Sequence, residues 1–217
     1  VFQNTIKEVL AGIPGVVNVS DDILVYATTA KEHNQRLLKV LERLKMSGLT
    51  LHKEKCEFLK RTISFFGYVF SEAGVAPDPE KVKDIWNAPA PTTITEVRSF
   101  LGMVNYCGRF IRNLTTLTQP LRELTKTKAT WEWGSIQEKA FQDTKDALSA
   151  DTMLEYFNPA YPTTLAVDAS PTGLGAVLSQ QQHDGEWAPV AYASRANTKT
   201  EQRYSHIEKE AIDIHWG

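Results

Sequence analysis

Residues 15–27 read GVVNVSDDILVYA, a run of Val, then Ser-Asp-Asp, then a second run of Ile, Leu, Val and Tyr. Two short apolar runs interrupted by turn-forming polar residues predict two short strands joined by a tight turn, with Ser20, Asp21 and Asp22 at its tip. The adjacent carboxylates admit two readings at this point. Asp closes turns by bonding back to the backbone. A carboxylate pair held beside an apolar sheet also suits a divalent cation, which relieves the mutual repulsion of the two charges.

Working outward, Phe2, Ile6, Val9 and Leu10 follow a helical rhythm that ends at Gly12-Ile13-Pro14-Gly15. After the hairpin, a helix is expected over residues 31–47, with Leu37, Val40, Leu41 and Leu44 on its inner face and Gly48 as its stop. A turn around Cys56-Glu57 leads to strands at 63–66 and 68–70, closed by Glu72-Ala73-Gly74. This first block is α+β.

From about residue 77 to 150 the pattern is helical. Asp78 caps a helix with Pro79 in its first turn and Val82, Ile85 and Trp86 inward, and Pro89 and Pro91 end it. Thr93 with Glu96, and Ser135 with Glu138, have capping-box spacing, the second preceding an inner face of Phe141, Thr144 and Leu148. Trp131 and Trp133 read as wedges between helices. A third block opens near Asn158, with a strand ending in Asp168, strands at 175–179 and 188–194, and a helix starting near Gln202 or Ser205 that carries Glu208, Glu210 and Asp213. Asp168 at a strand end and Glu210 on the following helix are a second candidate carboxylate pair. On its own, Glu210 reads as a solvated helix residue in preference to a ligand.

With 217 residues and 42% hydrophobic content, the chain has room for one large domain or two small ones. It has no apolar run of the roughly 18–20 residues that span a bilayer and no basic-then-apolar leader, so no membrane partner is expected. Cys56 and Cys107 lack metal-ligand spacing and fit a reducing compartment. Net charge is −2, yet residues 31–61 hold nine Lys or Arg against four Glu. Such a strip suits phosphate contact or forms a solvated helix face. Both ends fall inside helical patterns, so a fragment of a longer polypeptide is expected.

The ordered series of Phe2-Gln3, Asp21-Asp22-Ile23-Leu24-Val25, LHKEKCEFLKRTISFFGYVFSEAGVAPDPEKV, PTTITEVRSFLGMVNYCGRFI, PLREL, AFQDTKDAL and DASPTGLGAVLSQ leading to YSHIEKEAI resembles one family. It is the reverse transcriptase and ribonuclease H region of gypsy-type long-terminal-repeat retrotransposon polyproteins, and the resemblance covers essentially the whole chain. It implies an α+β architecture in three parts: residues 1–76 as the C-terminal part of a polymerase palm, 77–157 as thumb and connection, and 158–217 as the start of a ribonuclease H-like α/β domain.

The resemblance further implies RNA-directed DNA synthesis and hydrolysis of RNA in an RNA–DNA hybrid, with two Mg2+ ions per active site in the complete enzyme. Asp21 and Asp22 match the polymerase carboxylates, and Asp168 and Glu210 match the ribonuclease H set. The remaining ligands are expected upstream of Val1 and beyond Gly217, so the 217 residues alone are expected to have neither activity. Lys53, Lys55, Lys60, Arg61, Arg98, Arg109 and Arg112 are the expected phosphate contacts. The implied partners are an RNA template, a DNA primer, the RNA–DNA hybrid, deoxynucleoside triphosphates and the rest of the polyprotein. The implied location is the cytoplasm, within virus-like particles. Three departures stand out. Val19 occupies a position that is usually aromatic, Ser20 one that is usually apolar, and Cys107-Gly108 replaces the usual Tyr-Arg. They leave open the alternative of an inactive or domesticated segment that serves as a nucleic-acid or protein binding module.

Overall fold

The protein is described from a computed structural model that covers residues 2–127, 129–148 and 153–217. Val1 and Ala150, which end two of the expected blocks, lie outside the described residues. The chain forms two compact units, Val1–Phe66 and Gly67–Gly217.

In the first unit, α1 (Phe2–Val9) leads into the hairpin strands β1 (Val16–Val19) and β2 (Asp22–Val25), then α2 (Ala30–Met46), a 3-10 turn at Lys53–Lys55 and a short strand, β3 (Ile63–Phe65). α2 begins where Thr29 accepts the Glu32 backbone N–H at 3.2 Å. It ends where Gly48, at φ +70°, lets Leu49 N–H return to the Leu44 carbonyl at 2.9 Å. Val40 and Leu44 from α2 pack with Ile6, Leu10 and Ile13 as the unit's small core. Leu41, expected inward, is 37% exposed. It sits one residue past Val40 and so turns off the buried stripe.

Two α2 cations of the basic strip are used internally. Arg36 donates to the Tyr26 carbonyl at 2.6 Å and pairs with Glu32, and Arg43 donates to the Val9 carbonyl at 3.1 Å.

The second unit begins with the antiparallel pair β4 (Tyr68–Ser71) and β5 (Gly74–Pro77). Sequence periodicity did not anticipate β5. Its Val75 is bridged in both directions to Leu154, with N···O distances of 2.8 and 2.9 Å, a pairing that local sequence cannot signal. Helices α3 (Pro79–Asn87), α4 (Ile94–Tyr106), α5 (Leu114–Leu117), α6 (Gln119–Leu124) and α7 (Ser135–Asp146) follow. They enclose a core that includes Val97, Phe100, Val104, Leu121, Phe141 and Leu148.

Asp78 caps α3 by accepting Glu80 N–H at 3.0 Å, as expected. Trp86, expected inward, is 51% exposed, while its neighbour Ile85 is buried. The expected Ser135–Glu138 cap is displaced by one residue. Gly134 is the N-cap and its N–H donates to Gln137 Oε1 at 3.2 Å, while Glu138 accepts the Trp133 indole N–H at 2.8 Å. Trp133 also meets Phe141 edge-on at 5.9 Å, which fits the wedge role. Lys145 is buried on α7 with its Nζ 2.6 Å from the Ala88 carbonyl and 4.3 Å from the Phe141 ring centre.

The unit closes with an antiparallel meander, β6 (Thr163–Ala169), β7 (Gly173–Gln181) and β8 (Trp187–Ala196), and helix α8 (His206–Trp216). α8 packs mainly on β6. No helix among the described residues is long and apolar enough to cross a membrane.

Candidate active-site carboxylates

The hairpin is tighter than the sequence suggested. Val19 pairs directly with Asp22, so the loop is Ser20 and Asp21 alone, and Asp22 is the first residue of β2. Ser20 takes φ +53°, the left-handed conformation that two-residue hairpin loops demand at one or both central positions. Both Asp21 and Asp22 are exposed. Among the described residues neither carboxylate has a hydrogen-bond or ion-pair partner, so the turn-closing reading of these acids is not realised. They line a cleft of about 530 Å3 within the first unit, together with Ile23, Leu37, Leu41 and Lys55.

The second pair is built from β6 and α8. Asp168 is exposed on β6 opposite Gly175, and its Oδ2 accepts from Asn113 Nδ2 at 3.3 Å. α8 starts with a full capping box. Ser205 Oγ accepts Glu208 N–H at 3.4 Å, and Glu208 Oε2 accepts Ser205 N–H at 2.7 Å. Glu208 is thereby committed to the helix start, and its carboxyl is held below the usual range by those Ser205 bonds. Glu210 is half-buried and 3.7 Å from His206.

Asp213, one turn further along α8, is wholly buried and both of its carboxylate oxygens lack a partner. Burial raises its pKa, and the charge of Glu210 raises it further, with Asp168 also acting on it. The three acids therefore share one electrostatic neighbourhood. Asp213 had no role in the sequence reading. The available signal was its i+3 spacing from Glu210, which places the two on one helix face.

Hard carboxylate oxygens are the donors magnesium prefers, and the orphaned oxygens of Asp213 mark a place where positive charge would be stabilising. In that chemical sense both pairs fit a divalent ion. Among the described residues, no three His, Cys, Asp or Glu side chains converge as a complete ligand set.

The expected phosphate contacts fall on both units. Lys53 and Lys55 lie on the 3-10 turn, Lys60 and Arg61 in the following loop, and all four are exposed. Arg98, on α4, donates to the Thr125 carbonyl at 3.1 Å. Arg109 lies 5.7 Å from the Tyr68 ring centre, and Arg112 is exposed just before α5. Of the departures noted in the sequence, Val19 supports the hairpin as a strand residue and Ser20 is one of its two loop residues. Cys107 is buried within the helical core, so its side chain is a packing element of that core.

Comparison with known proteins places these elements in a class. Residues 1–70 match the family model "Reverse transcriptase (RNA-dependent DNA polymerase)", and residues 133–217 match "RNase H-like domain found in reverse transcriptase". Similar curated proteins include the Transposon Tf2-3 and Tf2-7 polyproteins of Schizosaccharomyces pombe, 35% and 34% identical over 222 residues. The match takes in 99% of this chain and 17% of each polyprotein. The fold is similar to a foamy viral protease-reverse transcriptase dRH in complex with double-stranded DNA, with TM-score 0.84 and 27% identity over 99% of this chain and 38% of that one. It is also similar to a foamy viral protease-reverse transcriptase in complex with RNA/DNA hybrid, with TM-score 0.81 and 27% identity over 98% of this chain and 29% of that one.

Sequence and structure thus match the reverse transcriptase and ribonuclease H domains of long-terminal-repeat retrotransposon polyproteins, domains of enzyme families that generally use Mg2+.

Proposed function

We propose that this chain contributes to two activities of a longer polyprotein. One is an RNA-directed DNA polymerase that extends a DNA primer on an RNA template with deoxynucleoside triphosphates. The other is a ribonuclease H that hydrolyses the RNA strand of the resulting hybrid. The observation that best supports the reading is the two-residue hairpin loop. It presents Asp21 and Asp22 unpartnered at a cleft, inside the segment that matches the reverse transcriptase model.

Asp21 would supply a magnesium ligand and Asp22 would help to hold the same site, while Asp168 and Glu210 would supply ligands of the second site, with two ions in each. When bound there, magnesium would supply charge stabilisation at phosphate oxygens and a lowered pKa for the attacking hydroxyl or water. The exposed cations Lys53, Lys55, Lys60, Arg61, Arg98, Arg109 and Arg112 hold the phosphate backbone, which a template copier must grip without reading its sequence. The working location is the cytoplasm, within virus-like particles.

The two centres separate by mutation. In the enzyme-length polyprotein, Asp21→Ala abolishes magnesium-dependent primer extension and spares hybrid cleavage, while Asp168→Ala does the reverse. Primer extension that survives Asp21→Ala overturns the polymerase assignment.

A further inference from the structure

We propose that Asn113 is a positioning residue for Asp168, an inference that rests on the ribonuclease H reading above. Asn113 adopts φ +52° immediately before α5, a left-handed conformation that Asn tolerates better than most residues with a β-carbon. From there its amide reaches across the β6–β7 pair. Nδ2 donates to Asp168 Oδ2 at 3.3 Å, and the other end of the amide lies over Gly175. A β-carbon at Gly175 would come within 2.1 Å of Asn113 Oδ1. Since Gly175 is the cross-strand partner of Asp168, the amide reaches the acid because the opposing residue has no side chain. Only the NH2 end of an amide can donate to a carboxylate, so the chemistry fixes its orientation.

The next residues pin this arrangement. Thr115 presents its backbone N–H and its Oγ1 to Ser194 Oγ at 3.2 and 3.1 Å, and Thr116 Oγ1 lies 3.1 Å from Ser170 Oγ. The backbone that carries Asn113 is therefore tied to strand β8 and to the turn after β6. A carboxylate with one oxygen held by a fixed donor loses rotational freedom and keeps its other oxygen for a cation. Removing such an outer partner of a metal-binding side chain costs about 10–100-fold in metal affinity or activity. Asn113 thus couples the helical block to the acid that begins the ribonuclease H centre.

The test uses Asn113→Gly, which removes the amide and keeps the left-handed backbone available. Mg2+ binding is measured by calorimetry in enzyme-length protein carrying Asp21→Ala and Asp22→Ala, so that only the second centre reports, with hybrid cleavage followed in parallel. Asn113→Gly weakens Mg2+ binding about tenfold and raises the Mg2+ needed for half-maximal cleavage to match, while the melting temperature in EDTA shows the fold retained. Gly175→Ala reproduces the loss when Asn113 is present and adds nothing in the Asn113→Gly background, because its methyl group then meets no amide. Unchanged Mg2+ affinity in both single variants overturns the inference. If Asp168→Ala abolishes binding and cleavage while Asn113→Gly alters neither, the inference alone fails. If Asp168→Ala also alters neither, the ribonuclease H reading fails with it.

Discussion

Arg195 grips Glu201 with two parallel bonds, Nη1 to Oε2 at 2.9 Å and Nη2 to Oε1 at 3.0 Å. The pair ties β8 to the short 3-10 turn Glu201–Arg203 that precedes α8. A third bond, from Thr198 N–H to Glu201 Oε2 at 2.7 Å, completes the set. Paired donors of this geometry fix direction as well as charge.

The Arg195 bonds, with help from Thr198, hold the Glu201 carboxyl at about 2, well under its usual 4.5. A lowered pKa means that the folded state binds the proton less readily than the unfolded chain. The stabilisation is therefore full above about pH 4.5 and is lost as pH falls toward 2. Glu201→Gln should lower the melting temperature at neutral pH, and the gap to the wild type should close over that acid window. A gap that stays constant down to pH 2 contradicts the assignment.

Burial raises the Cys107 thiol to about 11, and the side chain sits in the helical core. Cys56 lies half-buried on the other unit. The thiolate is the reactive form, so at pH 8 a maleimide or alkylating probe should modify Cys56 first and reach Cys107 only on unfolding. Mass spectrometry of labelled peptides gives the order directly.

Burial and then the charge of Glu210 disfavour the ionised form of the Asp213 carboxyl. Asp213→Asn should stabilise the metal-free protein at neutral pH by about 1–2 kcal/mol, since it removes, at constant shape, a buried charge whose burial and repulsion by Glu210 outweigh the attraction of Arg195. The raised pKa fixes the sign. The charge penalty exists only where the carboxyl ionises, so the benefit of Asn vanishes in acid, where both side chains are neutral. Thermal melts of the two proteins in EDTA across that range check it, and a destabilised Asn variant at neutral pH refutes it.

Lys55 and Arg112 are exposed cations outside any ion pair among the described residues. Alanine at either position should weaken binding to every duplex alike and reduce the slope of log affinity against log salt by about 1. Filter binding of several unrelated duplexes at a series of salt concentrations measures both effects. A loss confined to one sequence points to base recognition instead.

What the sequence made legible follows from the range of the forces involved. The hairpin was readable because apolar runs flank turn residues, and the start of α8 was narrowed to Gln202 or Ser205, between which the reciprocal Ser205–Glu208 cap decides. Both signals are local. Ser135 misled because two acceptors compete near it: Gln137 reaches the Gly134 N–H while Glu138 is drawn to the Trp133 indole. Trp86 and Leu41 are apolar residues beside a buried stripe, and composition alone does not say which side of the stripe packs. Asp213 was hidden for the opposite reason, since an acid on a core-facing turn reads as a surface residue. The clamp of Asn113 on Asp168 joins positions 55 residues apart, and only the folded chain brings them together.

The bridge between Val75 and Leu154 also bears on synthesis. A chain emerging from a ribosome presents β5 long before Leu154 exists to cover its open edge, so this part of the second unit stays unfinished until the later segment is released. A translational pause before residue 154 would leave Val75 exposed to proteases and holdase chaperones.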